Sequence, residues 1–461
     1  MRKTTTERSN YGATTGFSRR ALIGGAVTAA GAATAGAVIG RGGTPDSAGA
    51  AIEPFHGEHQ AGIATSPQSH ALFLACDVAR PDRGALRELL TEWTAVSAAL
   101  TAHRPMPEPP RAQPDTTAET DFATGLEPAR LTMTFGLGAA VFDERFGLAD
   151  RRPRHLGALP TFDGDALNPA WCGGDLLVQI CADDSQLVSH AFRALRARMP
   201  GLARMRWTQH GFLGLPGDGG TPRNAFGFKD GTANPPTGTT DFDTTVWVDS
   251  PAEPGWFHGG TYLVFRKIRM KTAEWDQLPI AQQNQIIGRR RGDGAPLGGG
   301  SEFDTVDLAA RDERGELAIA DNAHVRLVHG IPMLRRGYNY DYGLLVANAG
   351  GSPDPTPAQP HSHTPGTPEH SHGGHGQLDV GLLFAAYQNN PSEQFVKAQR
   401  AMATDRLNPL VQHTGSGFFA MPPGAAPGEP VAATLLARAL GQSCQLLEFM
   451  RSSQFGNGTC G

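Results

Sequence analysis

One carboxylate stands where an apolar stretch of the chain breaks into a turn. Asp230 follows Phe226 and Phe228 and precedes the sequence Gly-Thr-Ala-Asn-Pro at residues 231–235. Asp-Gly and Asn-Pro dipeptides are typical of turns, so the pattern places Asp230 at the end of an apolar segment. A carboxylate in such a partly dry position can accept and return a proton during a reaction. An aspartate that merely starts a turn would show the same local sequence, so the stretch alone leaves both interpretations open.

A histidine and a pair of arginines follow farther along the chain. His324 lies in the sequence Asn-Ala-His-Val-Arg, and Arg335 and Arg336 precede a Gly-Tyr pair. Neutral imidazole is a common ligand for iron and other transition metals, and a fixed guanidinium stabilises negative charge that develops during a reaction. The alternatives are a histidine of the core or the surface and a solvated pair of arginines at a strand end.

Five more histidines lie in a segment rich in Gly, Pro and His at residues 347–377. They form two His-Ser-His pairs and one further position: His361, His363, His370, His372 and His375. Neutral imidazole suits divalent copper, zinc and nickel, so this spacing predicts an additional copper or zinc ion. The segment has too few apolar residues to fold alone, and a solvated insertion without a metal is the alternative.

The stretch around Asp230 resembles the Gly-x-x-Asp-Gly signature of the dye-decolourising (DyP-type) haem peroxidases, here Gly227 to Gly231. The sequence at His324 resembles the His-x-Arg motif of that family, and Leu-Arg-Arg-Gly-Tyr at 334–338 resembles its deferrochelatase/peroxidase branch. The resemblance extends from about residue 54 to about residue 423. It implies one haem b per chain and the use of hydrogen peroxide to oxidise dyes, phenols or other small aromatic reductants.

On one side of the haem, the resemblance implies that His324 binds the iron. Asp379, which precedes an apolar strand, is the candidate to accept the second N–H group of the imidazole, and an ordinary acid at a strand edge is its alternative. Such a carboxylate makes the imidazole a stronger donor and lowers the reduction potential of the iron. A haem propionate would bind Arg326 or Arg336.

On the other side of the haem, the resemblance implies Asp230 as the acid–base group and Arg335 as its positively charged partner. Only about ten residues separate His324 from Arg335, fewer than in many relatives, so Arg336 is the alternative to Arg335. The contact with the haem edge falls on Gly231, Thr232 and Ala233. Bulky reductants would donate electrons through surface aromatic residues such as Tyr338, Tyr340, Trp247 or Trp256.

Two other classes of function fit the same sequence. A haem- or iron-binding delivery protein, linked to iron uptake from haem as in the deferrochelatase branch, would bind the cofactor with only incidental peroxidase activity. A metal-handling protein would depend on the histidine-rich segment, with iron- or copper-uptake components as partners. Haem absorption and turnover of peroxide by the purified protein distinguish the three classes.

The elements that position these residues follow from apolar periodicity. Strands are predicted at 70–79, 130–136, 175–182 and 203–212, with helices at 82–101 and 186–199. A similar set follows, with strands at 261–270, near Val325, and at 336–342, 380–387 and 417–421, and helices at 273–289 and 392–403. The order β-α-β-β-α-β is that of a ferredoxin-like module. We therefore predict an α+β fold of duplicated ferredoxin-like modules with antiparallel sheets, as in the dimeric α/β-barrel superfamily. The modules would span 51–235 and 236–461, and the second would bind the haem.

The first 50 residues have the features of a twin-arginine export signal. Arg19 and Arg20 precede an apolar run rich in Ala and Gly at 21–40, and Ala-Gly-Ala at 48–50 is a small-residue cleavage site. A retained membrane helix is the alternative, although Ala and Gly insert poorly into a bilayer. We expect the twin-arginine translocase to export the folded chain, which would then be secreted, periplasmic or associated with the cell envelope.

Composition excludes some partners. The chain has 40 Lys and Arg against 45 Asp and Glu, and without residues 1–50 the balance is 34 against 43. This acidic balance argues against nucleic acid as a partner and leaves a homo-oligomer open. The five cysteines show no Cys-x-x-Cys spacing, so no zinc or disulfide framework is predicted. Cys76 and Cys181 lie in apolar strands and are expected to be buried, whereas Cys444 and Cys460 could pair.

Deletion of residues 361–375 tests the predicted copper or zinc site. Calorimetric titration of either ion into the wild-type protein is expected to show heat that the deletion variant lacks, because the variant has lost the five imidazoles. Peroxidase activity should persist, since the site is predicted to be independent of the haem. Equal heats in both proteins would rule out the site, and loss of peroxidase activity would show that segment and haem are coupled.

Overall fold

Eight antiparallel strands form one closed barrel in the computed structural model, which describes residues 51–108, 122–344 and 377–437. The strands are β1 His70–Val78, β2 Thr132–Gly138, β3 Leu176–Ala182, β4 Ala203–Phe212, β5 Thr261–Met270, β6 Leu334–Leu344, β7 Leu378–Gln388 and β8 Val411–Met421. The α-helices are α1 Arg83–Thr101, α2 Ser185–Arg196, α3 Thr240–Val246, α4 Thr272–Asp276, α5 Ile280–Ile287, α6 His324–Leu327, α7 Phe395–Ala401 and α8 Ala433–Leu436. Within these ranges, no helix has the length and apolar content needed to cross a bilayer.

The barrel consists of two halves that share one internal strand order. Around the barrel, β4-β1-β3-β2 is followed by β8-β5-β7-β6, so each half places its strands in the order fourth, first, third, second. This is the arrangement of a ferredoxin-like β-α-β-β-α-β module. The halves meet where β2 pairs with β8 and β4 pairs with β6. The predicted α+β fold of duplicated ferredoxin-like modules is confirmed, and the two antiparallel sheets join edge to edge.

Side chains alternate between the interior of the barrel and its outer face, because successive residues of a strand point to opposite sides of the sheet. The interior is filled with large apolar and aromatic side chains, including Phe73, Trp207, Phe265, Tyr338 and Tyr387. On the outer face of the first half, α1 and α2 cover the sheet with one continuous core. Cys76 and Cys181 are buried, as predicted.

The outer face of the second half is covered less completely. Its apolar residues form three separate clusters, which contain Trp275, Phe162 and Met333 respectively. Phe384 lies at the edge of all three clusters and remains partly exposed, although β7 lies between β5 and β6. The described residues therefore cover only part of this face.

Two predicted elements are wrong. The predicted helix at 273–289 is divided into α4 and α5 at Pro279, which lacks the N–H group needed to continue a helix and comes immediately before α5. The predicted strand near Val325 is the short helix α6, in which the N–H of Arg326 donates to the carbonyl of Ala323 at 3.1 Å. β8 also begins earlier than predicted, because residues from Val411 onward pair with the end of β5.

His413, on β8, is a base that stays neutral in the folded chain. Burial and the positive charge of Arg266 lower the pKa of its imidazole to about 3. Its Nδ1 accepts a hydrogen bond from Nε of Arg266 at 3.3 Å, as a neutral ring can. The unfolded chain has an ordinary histidine pKa of about 6.5, so below that pH it binds a proton that the folded chain does not. Stability is therefore lost as the pH falls from about 6.5 toward about 3.

We expect His413→Gln to be less sensitive to acid than the wild type. Between pH 7 and pH 5, the wild type should lose about 2 kcal/mol more unfolding free energy than the variant, from a linkage of about 1.4 kcal/mol per pH unit. Urea unfolding at both pH values measures the difference, and replacement of the exposed His258 by Gln is the control. Equal losses in the wild type and His413→Gln would show that another group is responsible.

Candidate active site

Asp230 follows a tight turn that is anchored by aromatic packing. Phe226 stacks on Trp275 with 4.3 Å between ring centroids, and Phe228 meets the same indole edge-on at 5.8 Å. The indole N–H of Trp275 donates to the carbonyl of Phe226 at 3.1 Å. Gly227 has a φ of +81°, which a residue with a side chain rarely adopts. The apolar residues before Asp230 thus fix the backbone that leads to it.

The turn after Asp230 binds the free side of β6. Oδ1 of Asn234 accepts from the backbone N–H of Arg335 at 3.0 Å, and its Nδ2 donates to the carbonyl of Arg335 at 2.8 Å. The side-chain amide of Asn234 thus forms the two hydrogen bonds that a neighbouring strand would otherwise form with the backbone of Arg335. A Cβ added at Gly337 would lie 3.8 Å from Oδ2 of Asp230. Asp230 therefore lies over the outer face of β6, to which Arg335 also points.

The charged groups of Asp230 and Arg335 are sparsely bonded. Within the described part of the chain, the one hydrogen bond to the Arg335 side chain joins its Nε to Oδ1 of Asn234 at 3.4 Å. No described residue forms a hydrogen bond or ion pair with the carboxylate of Asp230. Arg289 lies close to Arg335. Burial lowers the pKa of Arg289, the negative charge of Glu302 raises it, and the positive charge of Arg335 lowers it. The Asp230 carboxylate and the Arg335 guanidinium thus lie on the same face of β6 without forming an ion pair with each other.

Arg336 points to the opposite side of β6. It is 4% exposed, and its guanidinium donates to the carbonyl of Thr65, to Oε1 of Gln68 at 2.9 Å and to the hydroxyl of Tyr338 at 3.4 Å. Since neighbouring residues of a strand face opposite sides, Arg336 lies in the barrel interior. The expectations that it substitutes for Arg335 or binds a propionate are therefore wrong.

Asp379 also lies inside the barrel. Its Oδ2 is 3.0 Å from Nζ of Lys267, and its Oδ1 accepts from the hydroxyl of Tyr340 at 3.0 Å. It shares the inner face of β7 with Leu383, whereas Phe384 is on the outer face. The prediction that Asp379 orients His324 is wrong, because the pleat of β7 directs it away from the outer face.

Asp405 takes that role instead. Its Oδ2 lies 2.7 Å from Nδ1 of His324, and its Oδ1 accepts from the N–H of Leu407 at 2.8 Å, so the carboxylate is fixed. A carboxylate at this distance makes Nδ1 the donor and leaves the lone pair on Nε2. No hydrogen bond reaches Nε2 from the described residues, and the side chain is 28% exposed. This arrangement is compatible with a metal ligand at Nε2.

The other predicted site residues are placed as follows. Gly231 and Thr232 are partly buried and Ala233 is exposed, in the turn beside Asp230. The five histidines of the histidine-rich segment lie outside the described residues; within those residues, no group of three or more potential ligands could hold a metal ion. Arg326 binds the carbonyls of Ile319 and Leu308.

The predicted surface donors are mostly buried. Tyr338 and Tyr340 are fully buried in the barrel, and Trp247 is 8% exposed and stacks on His59. Trp256 is only partly exposed and donates its indole N–H to the carbonyl of Arg151. The expectation that Tyr338 and Tyr340 form part of the surface is wrong, because the pleat of β6 directs both into the barrel.

The two halves of the chain match the two models of one protein family. Residues 60–213 match "Dyp-type peroxidase, N-terminal", and residues 221–426 match "Dyp-type peroxidase, C-terminal". The chain belongs to the DyP-type peroxidase family. It is a haem-dependent peroxidase, as the resemblance of its motifs predicted.

Relatives of this DyP-type peroxidase support the assignment over most of its length. Deferrochelatase of Yersinia pestis is 35% identical over 423 residues, which are 88% of this chain and 90% of that protein. Deferrochelatase of Escherichia coli K12 is 35% identical over 81% of this chain and 84% of its own length. Among solved structures, DtpA from Streptomyces lividans is 36% identical, with a TM-score of 0.74 over 86% of this chain and all of that one. A DyP-type peroxidase from Cellulomonas bogoriensis is 37% identical, with a TM-score of 0.71 over 85% of this chain and 99% of that one.

The residues of this DyP-type peroxidase fit a haem group. A haem has an apolar macrocycle, an iron that takes an axial ligand and two propionates. His324 presents Nε2 as a candidate ligand, and the partly covered apolar face around Phe384 suits the macrocycle. The guanidinium groups of Arg335 and Arg289 supply positive charge at this face. The residues present are therefore compatible with a bound haem.

Asp405→Asn is expected to raise the reduction potential of the bound iron by on the order of 50 mV, since a carboxylate on Nδ1 makes His324 a stronger donor. Asp379→Asn is the matched control, because it removes a carboxylate from the other face of the sheet and should leave the potential unchanged. Spectroelectrochemical titration of the haem-loaded variants measures both. A potential that rises only in Asp379→Asn would return the orienting role to Asp379.

Proposed function

We propose that this peroxidase reduces hydrogen peroxide at the outer face of its second half and oxidises dyes, phenols or other small aromatic reductants. His324 would hold the haem, which would supply the iron for cleavage of the O–O bond and the oxidising power for the reductant. The observation that supports this proposal most directly is the convergence of Asp230 and Arg335 on one face of β6. His324, the candidate ligand, presents an unpaired ring nitrogen in the same half of the chain.

Asp230 moves the proton that cleavage of the O–O bond requires. When hydrogen peroxide is cleaved heterolytically, a proton must pass from one oxygen to the other, which then leaves as water. The carboxylate of Asp230, without a partner among the described residues, accepts this proton and returns it, directly or through one water molecule. Arg335 stabilises the negative charge that develops on the departing oxygen, and Asn234 holds the arginine backbone in place for this task.

Asp405 keeps His324 in a single tautomer. The proton stays on Nδ1, where it is shared with the carboxylate at 2.7 Å, and Nε2 keeps its lone pair for a metal ion. The strong hydrogen bond would increase the electron donation of the imidazole to a bound iron, which would favour its oxidised state.

Variants of the two residues on β6 and its turn test the mechanism. Asp230→Asn should lower the rate constant of the reaction with hydrogen peroxide about 100-fold or more, because the proton carrier is lost. Arg335→Leu should lower it by a similar factor through loss of charge stabilisation. Stopped-flow absorption of the haem-loaded proteins measures both, with the exposed Asp218 changed to Asn as control. Slowing in Arg335→Leu alone would mean that the arginine drives cleavage without an acid–base partner.

The relatives named Deferrochelatase favour a second candidate function, the release of iron from haem in support of iron uptake. Incubation of the haem-loaded protein with a reductant and an iron chelator tests it. Fluorescence of metal-free porphyrin, absent when the protein is omitted, would support iron release. Intact haem after many turnovers of peroxide would leave the peroxidase reaction as the only activity.

Export through the twin-arginine translocase and binding of a copper or zinc ion are also part of the proposal. The paired Arg19 and Arg20 before the apolar run at 21–40 support export. Replacement of both arginines by Lys should retain the chain in the cytoplasm, and unchanged export would reject this route. The spacing of the five histidines at 361–375 supports the metal ion, with iron- or copper-uptake components as partners.

A further inference from the structure

Glu302 is a buried carboxylate that the mechanism above does not use. It is 8% exposed and lies in the irregular segment at 288–323 between α5 and α6. Its Oε2 accepts from Nζ of Lys229, and its Oε1 accepts from the hydroxyl of Thr232 at 2.8 Å. Burial raises the pKa of Glu302, but hydrogen bonds from Lys229, Thr221 and Thr232 outweigh burial and hold the pKa below its ordinary value. The side chain is therefore ionised at neutral pH.

Two of the partners of Glu302 flank Asp230. Lys229 immediately precedes it, and Thr232 follows two residues later. The carboxylate of Glu302 therefore binds residues on both sides of Asp230: Oε2 accepts from Lys229 and Oε1 accepts from Thr232. Glu302 is itself held in place, because Nη1 of Arg289 donates to its carbonyl at 2.8 Å.

The orientation of Asp230 depends on such anchors. Its carboxylate has no partner of its own in the described part of the chain, so side-chain hydrogen bonds do not fix it. Gly227 and Gly231, on either side, have φ values of +81° and +118°, and glycine allows the backbone more freedom than any other residue. Trp275 anchors the residues before the carboxylate and Asn234 those after it. The backbone N–H of Asp230 donates to the carbonyl of Pro222 at 2.9 Å, and Glu302 is the side chain that binds the residues around it, Lys229 and Thr232.

We propose that Glu302 is a positioning residue for the reaction with peroxide, which holds the carboxylate of Asp230 in place by binding Lys229 and Thr232 together. This role rests on the proposed function of Asp230 as the acid–base group. A displacement of about 1 Å in a catalytic group can cost up to about 100-fold in rate. Loss of the anchor should therefore slow the reaction even though Glu302 is not assigned any contact with the peroxide.

The test compares Glu302→Ala and Glu302→Gln with Asp304→Ala in the haem-loaded enzyme. Asp304 is a matched control on the same segment, since its carboxylate accepts from the N–H groups of Gly300 and Ser301 instead of binding the turn. We expect Glu302→Ala to lower the rate constant for hydrogen peroxide about tenfold in stopped flow. Glu302→Gln, which keeps an oxygen for Thr232, should recover part of the loss, and Asp304→Ala should match the wild type.

Hydrogen exchange provides a readout independent of activity. Backbone amides at 230–234 should exchange faster in Glu302→Ala than in the wild type or in Asp304→Ala, because the turn has lost its anchor. Mass spectrometry of the same haem-loaded proteins measures this rate. Unchanged exchange in Glu302→Ala would overturn the proposal.

A double variant separates positioning from general structural support. If Glu302 acts through Asp230, Glu302→Ala should cause no further slowing in the Asp230→Asn background. Equal slowing in both backgrounds, or a rate constant for Glu302→Ala within twofold of the wild type, would overturn the proposal. If Glu302→Ala does not fold, Glu302→Gln takes its place in the same cycle. A wild-type rate in Asp230→Asn alone would instead overturn the acid–base role of Asp230, and with it the role of Glu302.

Discussion

The alternation of side chains along β6 and β7 decides which residues can reach the active site. Arg335 and Gly337 face outward, and their partners across the ladder are Ala386 and Phe384. Arg336 and Asp379 face inward, although Arg336 lies between Arg335 and Gly337 in the sequence. A shift of the register by one residue would exchange the two sets. The packed aromatic interior of the barrel prevents such a shift. The chemistry of the outer face therefore depends on the packing of the interior.

The two halves share a strand order but have different roles. The sheet of the first half is covered by α1 and α2, of 19 and 12 residues, which bury its outer face in one core. The corresponding helices of the second half are shorter: α4, α5 and α7 have 5, 8 and 7 residues. Irregular segments cover part of the remaining face, and they carry Asp230, Glu302 and Asp405. The duplication thus provides one half that is closed and one half whose outer face is available for a cofactor and its reaction.

Sequence patterns predicted most of the strands, because strands such as β1 and β3 are mainly apolar runs. The family resemblance, through motifs that are local in sequence, predicted one site for Asp230, His324 and Arg335; the structure brings Asp230 and Arg335 to one face of β6, and the place of His324 in the same site stays a prediction. Asp405 could not be found in this way, since its contact with His324 spans 81 residues and its own segment has no signature. The inward direction of Arg336 could have been predicted from the pleat, because it shares its parity with the apolar Leu334 and Tyr338. The helical turn at His324 depends on tertiary contacts that no periodicity reports.

The central claim is that His324, held by Asp405, binds the haem iron through Nε2. Resonance Raman spectroscopy of the ferrous protein measures it most directly, through the stretching vibration between iron and the histidine nitrogen. We expect this band in the wild type, its absence in His324→Ala and its return when imidazole is added to that variant. A band that persists unchanged in His324→Ala would show that another residue binds the iron and would contradict the account.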